Sequence, residues 1–193
     1  AAALSLGVSA ANAEMATGSD LIRNTELRFS TFGSDTSDLG DNWSVGAVVD
    51  VLEHDLGAGV STVSVYGGFG ESNDVDMTAV GALYTWDVAV ADRADLALSA
   101  DAGYFMTDGL DNGNWFVATA ANLSTDVTDT LAVFGEVGYT WNASDDWSKH
   151  GGYTELGAEF AVTDNVMFVP SIAKPFDSAN DDVVGGVEVR FNF

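Results

Sequence analysis

From Glu26 to the end of the chain, apolar side chains alternate with small or polar ones, residue by residue. A period of two belongs to β-strands with unlike faces and not to helices, so it limits the chain to an all-β fold. Ten strands are expected, at Glu26–Phe32, Trp43–Leu52, Val60–Phe69, Met77–Val88, Asp95–Met106, Trp115–Leu123, Thr130–Trp141, Tyr153–Val162, Val166–Ala173 and Val183–Phe193. Eight would remain if the first strand and a short one such as Val166–Ala173 were misread. One face is apolar throughout. It carries Trp43, Val45, Ala47, Val49 and Val51 on the second strand, and Leu131, Val133, Gly135, Val137, Tyr139 and Trp141 on the seventh. The opposite face is small or polar and holds Glu26, Arg28, Asp50, Asp87, Asp101, Glu136, Glu155, Glu159, Glu188 and Arg190.

Alternation alone fits two architectures. In a soluble sandwich the apolar face meets a second sheet. In a membrane barrel it meets lipid, and the polar face fills the lumen. The connections favour the barrel. Loose acidic segments at 33–42, 71–76, 107–114, 142–152 and 174–182 alternate with tighter ones at 53–59, 91–94, 124–129 and 163–165. Successive hairpins would put all the tight turns at one end and the loose loops at the other, as in an up-and-down antiparallel transmembrane β-barrel. Hairpin-like segments starting at residues 50, 87, 122 and 159, spaced by 37, 35 and 37 residues, repeat that unit. Aromatics collect at the loose-loop strand ends (Phe32, Trp43, Phe69, Tyr104, Trp115, Phe116, Tyr139, Trp141, Tyr153, Phe176). A second group lies at the tight-turn ends (Tyr84, Trp86, Phe160, Phe191, Phe193). Two such belts suit the two lipid headgroup zones, where an apolar ring with a polar handle is at home.

Composition narrows the partners. The formal net charge is −24, from 30 acidic and 6 basic side chains, which argues against nucleic acid as a partner. Cysteine is absent, so neither disulfides nor thiolate metal sites enter. Residues 1–13, AAALSLGVSAANA, read as the remnant of a truncated signal peptide, with Ala11-Asn12-Ala13 as its cleavage site. The expected barrel domain is then 14–193. No other apolar run approaches the ~20 residues that a membrane helix takes.

The final segment, VVGGVEVRFNF, resembles the C-terminal strand signal of Gram-negative outer-membrane β-barrel proteins, carried by Val187, Val189, Phe191 and Phe193. AVTDNVMF resembles their periplasmic turns. The resemblance extends in pattern over 14–193 without a motif that selects a subfamily. It implies export through the periplasm to the bacterial outer membrane, recognition by the barrel-assembly machinery, and contact with outer-membrane lipid and lipopolysaccharide. Small members of this group, porin-like or similar to the OmpA barrel domain, act as structural proteins, narrow pores, adhesins or occasionally enzymes.

The chemistry stays open at this point. Eight carboxylates and two arginines on the lumen face could form a polar plug or a narrow cation-preferring pore, since buried like charges need water, protons or partners. Glu26, Arg28, Glu188 and Arg190 lie on the first and last strands, where charge pairs could lock the closing seam. External acids (Asp35, Asp38, Asp41, Glu71, Asp74, Asp76, Asp108, Asp111, Asp145, Asp146, Asp177, Asp181, Asp182) match no EF-hand spacing. They suggest loosely bound divalent cations and no specific metal or cofactor. Asp145, Asp146 and His150 share one loop, as omptin-type protease residues would, but no second catalytic pair accompanies them, so no catalysis is expected. The reading is a porin-like or structural barrel. Its alternatives are an adhesin acting through acidic loops and a soluble secreted acidic β-sandwich that binds a ligand.

Overall fold

The computed structural model describes residues 24–33, 42–72, 74–107, 113–142, 149–176 and 182–193. They form ten strands: β1 (Asn24–Gly33), β2 (Trp43–Asp55), β3 (Val60–Ser72), β4 (Val75–Ala91), β5 (Ala94–Thr107), β6 (Asn114–Thr128), β7 (Leu131–Asn142), β8 (Lys149–Thr163), β9 (Val166–Phe176) and β10 (Val184–Asn192). Each strand pairs antiparallel with its neighbours in sequence, and β1 pairs with β10, closing the barrel. The eight-strand alternative falls because β1 and β9 are both full members of the wall. The proposed signal-peptide remnant at 1–13 lies outside the described residues.

Turn chemistry fixes the register at one end. Asp92–Arg93, Asp129–Thr130 and Asp164–Asn165 are two-residue turns. In two of them a threonine closes the turn: Thr128 Oγ1 accepts from the Thr130 N–H at 3.2 Å and Thr163 Oγ1 from the Asn165 N–H at 3.3 Å. The β2–β3 turn spans residues 56–59, where the Gly57 N–H reaches Asp55 Oδ1 at 2.7 Å and Gly57 takes φ +77°. All four of these hairpins contain a register shift, and the extra residue is a valine each time: Val51, Val90, Val127 and Val162. A bulge inserts one residue and turns the strand beyond it by one side-chain position. For that reason Val51 does not continue the outer face as its alternation suggests; Leu52 takes that place opposite Val63.

At the other end, segment 71–76 is not the loose loop expected. The β3–β4 ladder continues to Ser72↔Val75, and Asp74 adopts φ +60° in the tight turn between them. His150 also leaves its expected loop, since β8 begins at Lys149.

The barrel is apolar outside and polar inside. Val65, Val80, Val117, Val137, Leu156 and Ile172 are exposed on the outer wall, whereas Ser64, Thr85, Asn122, Glu136 and Arg190 are buried within. Outer-wall aromatics form two belts. One carries Trp43, Phe69, Tyr104, Trp115, Tyr139, Trp141 and Phe176; the other carries Tyr84, Trp86, Phe160, Phe168, Phe191 and Phe193. Along β7 the two levels are separated from Leu131, which pairs with Phe160, to Trp141. At ~3.3 Å per residue and a tilt near 40°, this run projects to roughly 25 Å, the height of a bilayer's apolar band. Three aromatics expected in the belts point the other way. The register places Phe32, Phe116 and Tyr153 on the inner face, where alternation positions them one residue out of phase with their outward neighbours.

Candidate functional site: the filled lumen

Parity along each strand turns all ten expected lumen charges inward. Closure sets Arg28 directly opposite Arg190. Like charges facing across a ladder repel, so each guanidinium needs its own carboxylate. Arg28 Nε donates to Glu26 Oε1 and Arg190 Nε to Glu188 Oε1, in both cases two residues along the same strand. Arg190 also donates from Nη1 to Glu159 Oε1 on β8, at 2.8 Å. Arg28 and Arg190 thus each bond to a carboxylate of their own strand, and Arg190 also reaches from β10 over β9 to β8. Arg190 is only 2% exposed.

A second cluster centres on Glu136 of β7, 6% exposed. Tyr153 Oη donates to its Oε1, and Asn122 Nδ2 to its Oε2 at 3.1 Å. Three adjacent strands are thereby joined through one carboxylate. Glu155, half-buried, is its direct cross-strand neighbour. Farther round the wall, the Tyr66 hydroxyl on β3 donates to Asp101 on β5, 2.9 and 3.1 Å from the two carboxylate oxygens. The Tyr66 ring lies against Gly81 and Gly103, where a Cβ would come within 2.3 and 2.6 Å of its hydroxyl oxygen. Only glycine allows that approach. Ser64 Oγ donates to Asp50 Oδ1 at 2.6 Å, and Ser30 and Ser44 hydroxyls meet at 2.6 Å. Asp87 sits half-buried between Val60 and Ala97. Leu83, Phe134 and Val169 fill the space between these groups and are buried.

Sequence reading located the charges but missed their partners Tyr66, Tyr153, Asn122 and Ser64. It also missed Glu53, which the bulge in β2 turns inward opposite Thr62. Ser64 and Tyr66 share the parity of the polar face and were findable; Glu53 required knowledge of the bulge.

Val187, Val189, Phe191 and Phe193 lie on the outer wall of the last strand. Phe191 meets Phe29 edge-on at 5.8 Å, and the Phe193 N–H donates to Thr25 O at 2.9 Å. Of the external acids, Glu71, Asp74, Asp76 and Asp182 are described; Asp35, Asp38, Asp41, Asp108, Asp111, Asp145, Asp146, Asp177 and Asp181 lie outside the described residues. Among the described residues no group of histidine and carboxylate side chains has a metal-holding arrangement. His150 faces outward, its Nδ1 2.5 Å from Tyr139 Oη and its ring stacked on that tyrosine.

A closed, ten-stranded, up-and-down wall with an apolar exterior, two aromatic belts and a hydrogen-bonded polar interior is the architecture of a transmembrane β-barrel. No protein-family model matches the chain, and no curated protein matches it in sequence. Solved structures do match in fold. An outer-membrane channel from Pseudomonas putida superposes with a TM-score of 0.53 at 9% identity, over 91% of this chain and 97% of that one. The NanC porin gives 0.50 at 6% identity, over 86% and 98%. A loop-deleted OmpT, an outer-membrane protein of Vibrio cholerae, gives 0.49 at 10% identity, and there the match spans only 62% of the other chain. The chain thus has the fold of outer-membrane β-barrels.

Proposed function

We propose that this protein resides in the bacterial outer membrane as a structural barrel, non-catalytic and closed to solutes, which holds its acidic loops at the outer surface. The observation that carries the reading is the burial of charged and aromatic side chains within the lumen. Arg190, Glu26 and Glu136 are withdrawn from water inside the wall and bonded to neighbours on it. Around ten strands leave an interior that side chains can nearly fill. Electrical recording from purified protein in planar bilayers tests this. A flat trace at moderate voltage is expected, and regular conductance steps would overturn it.

The second reading, a narrow cation-preferring pore, draws support from the excess of carboxylates over arginines on the lumen face. It predicts steps whose reversal potential in a salt gradient favours cations, and an anion preference would sink it. Display of acidic loops for adhesion is compatible with the closed lumen, and divalent ions held loosely there could bridge to lipopolysaccharide phosphates.

A further inference from the structure

Between the two aromatic belts, the described outer wall carries apolar, glycine, serine and threonine side chains, with one charged exception: Lys174 on β9. On its own strand it lies between Phe168 of one belt and Phe176 of the other, two residues from Phe176. It is exposed, and its carbonyl accepts from Thr154 Oγ1 of β8 at 3.5 Å. A charge facing the hydrocarbon is costly in proportion to depth, so a lysine at this height extends its stem along the wall and lifts its ammonium towards the headgroups. Among the described outer-wall side chains between the belts, no other lysine or arginine could serve an anion. Among six basic residues against 30 acidic ones, Arg28 and Arg190 are committed inside the lumen and Arg93 lies in a turn at the opposite end, while Arg23 and the Lys149 side chain lie outside the described part of the structure.

Beside Lys174 the wall is grooved. Thr119, Ala120, Ala121 and Gly138 make a low floor, and Val137, Tyr139 and Phe176 rise beside it, leaving an open, shallow groove of about 290 Å³. The walls connect directly to the lysine. Val137 pairs with Thr154, which pairs with Lys174, a distance of two strand spacings or roughly 10 Å. Phe176 covers Gly152, where a Cβ would meet its ring at 2.2 Å, and so it reaches over β8 towards Tyr139, with ring centroids 6.4 Å apart.

We infer that this groove seats one phosphate-bearing membrane lipid, an acyl chain lying on the Thr119–Ala121–Gly138 floor and the phosphate held by Lys174. The inference rests on the reading that the barrel spans the outer membrane, and it assigns a lipid-binding site within that reading. Charge complementarity selects the occupant: the rest of this acidic chain repels an anion, and this position attracts one.

Native mass spectrometry of detergent-solubilised protein, titrated with bis-phosphorylated lipid A or with its dephosphorylated form, tests the assignment. Wild type should retain one phosphorylated lipid per barrel. Lys174→Gln should weaken that retention about five- to tenfold, the scale of one cationic contact at an anionic surface, and Lys174→Arg should restore it. Ala121→Phe, which fills the floor, should weaken both lipid forms. Equal retention by wild type and Lys174→Gln, or no preference for the phosphate, would overturn the site. The same samples run on a gel unboiled and boiled report the barrel itself. A wild-type protein without a mobility shift would overturn the membrane reading, whereas a normal shift with indiscriminate lipid retention overturns the site alone.

Discussion

At the scale of single residues, Arg190 is the most consequential side chain in the molecule. It is fully enclosed, faces another arginine across the seam, and neutralises carboxylates from two strands. Replacing it with methionine would leave Glu188 and Glu159 buried beside a hydrocarbon, a loss of roughly 3–5 kcal/mol by analogy with other broken buried pairs. The gel-shift conversion temperature of Arg190→Met should fall well below that of wild type; an unchanged temperature would mean that water already solvates the cluster. The positions of such charges were legible because parity alone separates the two faces. The inward turn of Tyr153 was legible from the same parity, which it shares with Glu155, but a ring near a strand end also satisfies the belt pattern, and that is how it came to be placed in the belt.

The hairpin is the element from which the wall is made, and its turns carry the local constraints. Asp74 holds φ +60° in the two-residue turn between β3 and β4, a left-handed conformation that an acidic side chain tolerates and a branched one resists. Asp74→Gly should leave stability equal or slightly higher, and Asp74→Val should lower it by about 1–2 kcal/mol, as read from urea unfolding in detergent. If both variants match wild type, the turn is not under that constraint. The ten strands were legible from alternation, and their ends much less so. Bulges at Val51, Val90, Val127 and Val162 leave no mark in an apolar-polar pattern, because a valine suits either side of the shift. They change the phase of the strand end that follows, which is how Val51 came to be placed on the outer face and Glu53 in a turn.

For the whole molecule, alternation was ambiguous between a sandwich and a barrel until the alternation of long and short connections and the two belts were added. Closure itself has no local signature, because it depends on β1 and β10 meeting after 150 or so intervening residues. Once closed, every backbone edge is paired, which is what a hydrocarbon solvent demands. The same closure has a further consequence. The Phe193 N–H donates to Thr25 O, so the last residue and the start of β1 lie side by side at the short-turn end. The wall is a ring of hairpins in which no hairpin is structurally first. Joining Phe193 to Thr25 through a short linker and opening the chain between Asp92 and Arg93 should therefore give a circular permutant that refolds from urea into detergent micelles with the wild-type gel shift. Failure to refold would mean that the order of synthesis, and not the closed ring alone, directs assembly. A permutant that folds in micelles but no longer inserts in cells would support a second role for β10, as the assembly signal that its sequence resembles.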